Sequence, residues 1–140
     1  MISNTPLKRS SRREYTAFSL VAVLAAGLYA KSYDGPAREW VNDSFAGVFY
    51  VVFWCLLGSL AFPCAGARRI AAIVLAVTCF LECLQLWHPA FLEWLRSGVV
   101  GRAILGRSFA LSDFPYYFLG SAVGWLWVTR LKRVEGRETR

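Results

Sequence analysis

The sequence predicts an all-α membrane protein, with four transmembrane helices and an interfacial or re-entrant segment between helices three and four. Three observations carry this expectation. The 140 residues are 56% hydrophobic and only 18% charged, with a mean hydropathy of +0.42, which is too apolar for a soluble domain of this length. Charges also desert four windows. None falls between Tyr15 and Ala30, Ser44 and Ala67, or Phe114 and Thr129, and only Glu82 falls between Ile70 and Leu92. Each window is near the roughly 20 residues that cross about 30 Å of hydrocarbon. The third observation is the placement of the cations. Eleven lysines and arginines fall in the segments on one side of the four windows and five on the other, so both termini are expected in the cytoplasm. A soluble helical domain would have to hide six Trp and ten Phe in a small core.

The domain organisation follows. Residues 1–14 form a basic cytoplasmic tail, 15–130 the transmembrane domain and 131–140 a second cytoplasmic tail. The net charge of +7 is explained by topology and by attraction to anionic lipid, and nucleic acid is not an expected partner. The apolar run after Lys8–Arg13 resembles a signal peptide, but no small-x-small cleavage site follows. Ala22, Ala26 and Ala30 recur at helical spacing instead and suggest a packing seam.

Span one covers about Tyr15 to Ala30, with Lys31 snorkelling. The turn at Asp34-Gly35-Pro36 leads to a brief interfacial helix over Ala37–Val41, with Trp40 at headgroup depth. Asn42 or Asp43 would cap span two, Ser44 to Phe62, which Pro63 closes. Arg68-Arg69 marks a tight turn, and span three runs from Ile70 to about Trp87. On it Thr78, Glu82 and Gln85 stand at i, i+4 and i+7, a single polar stripe.

A carboxylate at membrane depth is expensive and faces partners or water. The expected partners of Glu82 are the arginines of the following loop, Arg96 first and Arg102 next, with Arg107 at the headgroup level. Pro89 opens a short amphipathic helix whose apolar residues are Phe91, Leu92, Trp94 and Leu95, lying on the outer membrane surface until Gly98. The Gly-punctuated run GVVGRAILGRSF then reads as backbone dipping into the protein interior. Ser112 caps span four, where Asp113, Tyr117, Gly120 and Gly124 form a second stripe turned to the bundle. The candidate binding residues are therefore Asp43, Glu82, Gln85, Arg96, Arg102, Asp113 and Tyr117.

The cysteines read as free thiols, small hydrophobes within or beside the spans. His88 is the only histidine and has no cysteine or carboxylate cluster at ligand spacing, so neither a metal nor another cofactor is expected.

The residues Glu82, Gln85, Arg96, Asp113, Tyr117, Gly120 and Gly124, with Gly27-Leu28-Tyr29, Asn42-Asp43 and Phe62-Pro63 upstream, resemble the pattern of small bacterial membrane proteins in the DUF2809 family. More distantly they are similar to the VanZ-like family, whose pattern usually has Asn where this chain has Tyr117. The resemblance covers about Ala25 to Trp127. The first family implies no reaction, and the second implies a role near the cell envelope or its lipid-linked precursors.

Three functions compete. One is an outer-leaflet site in the bacterial inner membrane for a polar or lipid-linked envelope headgroup, gripped by arginine. Another is a structural or accessory subunit that works with partner membrane subunits and whose polar residues only satisfy one another. The third is an intramembrane enzyme with Glu82 and Asp113 as acid and base, and it is the weakest because no nucleophile has a convincing partner. An open polar cavity beside Glu82 would favour the first, and a dry, fully paired cluster the second.

Overall fold

A computed structural model describes residues 5–105 and 109–137, with side chains over 12–105 and 109–134. Every regular element among the described residues is a helix, with no strand. The helices are α1 (Thr5–Lys31), α2 (Arg38–Ala61), α3 (Ala67–Leu84), α4 (Ala90–Ser97), α5 (Val99–Leu105) and α6, which follows a 3-10 turn at Leu111–Asp113 and runs over Phe114–Arg137. Among the described residues one helix, Arg38–Ala61, is long and apolar enough to cross a membrane.

That helix is the centre of the bundle. It packs on α1, α3 and α6, while α6 also touches α1 and α3. Val51, Val52, Cys55 and Leu56 on α2 are buried to 2% exposure or less and form the core with Val23, Ala71 and Val128. The Gly120-x-x-x-Gly124 seam is what lets α6 approach. A Cβ on Gly120 would stand 2.9 Å from the Val48 carbonyl oxygen, and one on Gly124 would stand 2.8 Å from Cys55 Cβ. Small residues permit such contact where larger side chains would hold the helices apart.

Contacts between elements define two ends. At one end Arg12 Nη2 donates to Ser59 O and Oγ, both at 3.3 Å, and Lys132 Nζ donates to the carbonyls of Pro63 and Ala65. These cations meet the carbonyls left open where α2 stops. The other end gathers Lys31, Asp43, Ser44, Glu82 and Asp113.

Several local expectations are corrected. Asn42 and Asp43 do not cap span two, because the helix already begins at Arg38 and both lie in a π-helical turn, Val41–Phe45. Ala37, in the left-handed region at φ 59°, swings the chain from Pro36 into α2, so the interfacial helix and the span are continuous. Ala22 is exposed, and the buried face of α1 runs through Thr16, Val23 and Ala30. The first helix is longer than the expected span, since α1 starts at Thr5, and lysine and arginine favour helix continuation. At the other terminus α6 likewise continues to Arg137. Of the cysteines only Cys55 is buried, and Cys64 and Cys83 are exposed.

The largest departure concerns GVVGRAILGRSF. Its first part is the helix α5, with no buried residue, set against the flank of the bundle where the Tyr50 hydroxyl donates to the Ile104 carbonyl at 3.1 Å. A helical backbone satisfies its own hydrogen bonds, so it needs no interior to hide in. Gly101 serves the fold differently, since a Cβ there would collide with the Leu95 carbonyl where α5 folds back on α4. Gly106 and Arg107 lie outside the described residues. On α4, Leu92 is buried while Phe91, Trp94 and Leu95 are exposed.

Candidate functional site

The Thr78, Glu82, Gln85 stripe faces inward, at 5%, 2% and 7% exposure. Glu82 sits in the last turn of α3, and its carboxylate is met from three directions. Gln85 Nε2 donates to Oε2 at 3.0 Å, the Tyr117 hydroxyl donates to Oε2 at 2.7 Å, and the Ala110 backbone N–H donates to Oε1 at 2.9 Å. Among the described residues no arginine reaches it, so the expected pairing with Arg96 or Arg102 is corrected. The physical reason is that three well-aimed neutral donors do the same work. Hydrogen bonds to a charged group are worth about 1.5–3 kcal/mol each, and three of them offset a desolvation cost of several kcal/mol.

Arg96 is also buried, at 7% exposure, but it answers a different need. Its Nη2 donates to Leu84 O at 3.0 Å, and its Nη1 donates to Trp87 O at 3.4 Å and to Glu93 Oε1 at 3.0 Å. Leu84 ends α3, so the guanidinium closes the negative end of that helix dipole. His88 Nδ1 lies 2.7 Å from the same Glu93 oxygen, and since a carboxylate only accepts, the imidazole donates there. The hydrogen bond from His88, and then Arg96, hold the Glu93 carboxyl below its usual range. Two buried polar atoms of this region, Gln85 Oε1 and Arg96 Nε, have no partner.

Asp113 accepts from Ser44 Oγ at 3.3 Å. Burial and the nearby Glu82 charge push its carboxyl above the usual range, against the opposing pull of Ser44. Asp43 stands 3.9 Å from Lys31 in an exposed pair. Arg102 is exposed and makes no ion pair among the described residues. Ser112 lies within the 3-10 turn, exposed, and its hydroxyl makes no hydrogen bond among the described residues, which corrects its expected role as the cap of α6. The structure therefore unites Glu82, Gln85 and Tyr117, with Asp113 beside them. It draws Arg96 into a second cluster and leaves Asp43 and Arg102 at the rim.

Sequence reading missed the Ala110 amide, which carries no side-chain signal at all, and Ser44. It also missed the partnership of His88 and Glu93 with Arg96, although the i, i+3 spacing of Glu93 and Arg96 was a usable sign. Trp40 Nε1 donates to the Tyr116 hydroxyl at 2.7 Å and ties the start of α2 to α6. Among the described residues no three His, Cys, Asp or Glu side chains gather where they could hold a metal.

Residues 37–121 match the model of a family described as a protein of unknown function, DUF2809. The match runs from the residue before α2 to Ser121 in α6 and takes in every candidate site residue. The chain belongs to this family. No curated protein and no solved structure matches it.

Proposed function

We propose that this DUF2809 family member is a multi-pass protein of the bacterial inner membrane that serves as a non-catalytic structural or accessory subunit. In this reading α1, α2, α3 and α6 cross the bilayer, both termini are cytoplasmic and the Glu82 end is extracytoplasmic. Large apolar side chains left exposed on the outer faces support the spans: Phe18 and Leu28 on α1, Ile73 and Phe80 on α3, Leu119 and Leu126 on α6. A soluble surface would not carry so many. Phe91 and Trp94 would rest in the headgroup layer.

The observation that carries the structural role is the near-complete burial of Glu82 beneath donors from the residue that follows α3, the segment before α6, and α6 itself. The carboxylate works as a latch that holds three chain segments in one arrangement. Replacing it should release the 109–113 segment, read as faster hydrogen exchange there, and should weaken recovery of any larger assembly from solubilised membranes. Unchanged exchange in Glu82→Ala would defeat the latch. For topology, an impermeant maleimide should label Cys64, in a Cys79→Ser/Cys83→Ser background, only after cells are opened.

A second reading, a site for a polar or lipid-linked envelope headgroup, is favoured by the unpartnered Gln85 Oε1 and Arg96 Nε. A headgroup hydroxyl can donate to the first, and a headgroup oxygen can accept from the second. Binding of lipid-linked headgroups by the purified protein that survives both Gln85→Ala and Arg96→Ala would remove it.

A further inference from the structure

A cleft of about 240 Å³ opens at the opposite end of the bundle from Glu82, between the start of α1 and the end of α2. Its lining combines the polar Arg12, Arg13, Thr16 and Ser59 with the apolar Leu60, Ala61 and Pro63. Thr16 and Ser59 are each 1% exposed, and the Thr16 hydroxyl donates to the Arg12 carbonyl at 2.8 Å, so this side of the cleft is held by packing. Ser59 Oγ accepts from Arg12 and keeps its own proton to donate.

Charge decides what such a cleft can take. The end of α2 would ordinarily repel an anion, but Arg12 covers the Ser59 carbonyl and Lys132 covers those of Pro63 and Ala65. Arg68, Arg69, Arg130 and Arg133 stand on the neighbouring segments. Glu14, the carboxylate beside the cleft on α1, has a partner of its own. Guanidinium donors beside apolar side chains match a phosphate ester joined to a short apolar stem. We infer that this cleft binds the phosphate ester of an anionic amphiphile, in the first instance a phospholipid headgroup of the leaflet at this end. The inference goes beyond the role of Glu82 and rests on the membrane reading only for which leaflet supplies the lipid.

The test uses the full chain in phosphatidylcholine nanodiscs doped with phosphatidylglycerol, with retained lipid counted by native mass spectrometry. A parallel arm in neutral detergent titrates inorganic phosphate. Wild-type protein should retain phosphatidylglycerol selectively. Arg13→Gln, on an exposed side chain, should lose about tenfold in affinity, the worth of one charge-assisted hydrogen bond. Ala61→Phe, which fills the cleft without changing charge, should lose as much, and Arg133→Gln should lose little. Binding in the nanodisc arm alone assigns a lipid, and matching losses in the phosphate arm assign a soluble phosphate. Equal losses in Arg13→Gln and Arg133→Gln with Ala61→Phe intact would mean diffuse surface attraction and overturn the proposal, as would no selectivity in either arm. Maleimide labelling of Cys64 from outside intact cells would refute the cytoplasmic orientation while leaving this binding result in force.

Discussion

The Tyr117 hydroxyl stands 2.7 Å from Glu82 Oε2 and joins the first turn of one long helix to the last turn of another across 35 residues of sequence. The contact is made above the point where Gly120 lets α6 settle on α2. Close packing and polar satisfaction are therefore parts of one interface. A phenol is well suited to this place because its ring packs among apolar neighbours while its O–H reaches the buried acid.

Tyr117→Phe keeps the ring and removes only the donor. It should cost about 1.5–3 kcal/mol, the usual worth of a hydrogen bond to a charged group, read as a lower unfolding midpoint in detergent. Glu82→Ala should cost more, since it strands the Gln85, Ala110 and Tyr117 donors together. The double variant should cost less than the two losses added. A Tyr117→Phe protein as stable as wild type would show that the hydroxyl is not part of the latch.

Gly120→Ala should destabilise the bundle by about 1–3 kcal/mol through overpacking. The added carbon would meet Val48 O and Val51 Cβ, each at 2.9 Å, and backbone cannot step aside as a flexible side chain can. Gly66→Ala is the control, because nothing lies within 4 Å of its Cβ position. Equal thermal midpoints for the two variants would contradict the seam.

Arg96→Ala should lower stability by about 2 kcal/mol or more, since it uncovers the end of α3 and the Glu93 carboxylate. Arg102→Ala should stay within about 0.5 kcal/mol, as exposed substitutions generally do. Arg96→Lys should recover only part of the loss, because one ammonium cannot span the same carbonyls. The denaturation midpoints of the three variants check this ordering.

The raised Asp113 carboxyl has a definite sign. An acid whose folded value lies above its unfolded value favours the folded state most when protonated. That contribution is present below the usual carboxylate range and is lost as pH rises through the raised folded value. Asp113→Asn keeps an acceptor for Ser44 and removes the charge. It should therefore raise the unfolding midpoint at neutral pH and lose that advantage as pH falls into the carboxylate range. A pH-independent difference between Asp113→Asn and wild type would refute this account.

Much of the fold was legible before any coordinates. Apolar runs and helical periodicity located α2 and α3, and Pro63 and Gly98 marked where helices stop. The inward stripe of Thr78, Glu82 and Gln85 followed from spacing alone, because residues three and four apart share a face. The boundaries at Asn42-Asp43 and Ser112 were misplaced, since capping side chains compete with neighbours that extend the helix through them. The Gly-rich run looked irregular because glycine count reports backbone freedom and says nothing of whether the freedom is used.

By itself, the sequence determined that this chain is helical, that its acid at position 82 must be satisfied within the protein, and that Gly120 and Gly124 make a contact seam. Which groups satisfy that acid was settled only in three dimensions. Sequence reasoning ranks partners by formal charge and so chose the arginines. Folding instead brought a tyrosine hydroxyl, an amide side chain and a bare backbone N–H within 3.0 Å, and sent Arg96 to a helix terminus. Hydrogen-bond geometry depends on where backbones pass, and no pattern of residue types encodes the passage of the Ala110 amide beside Glu82.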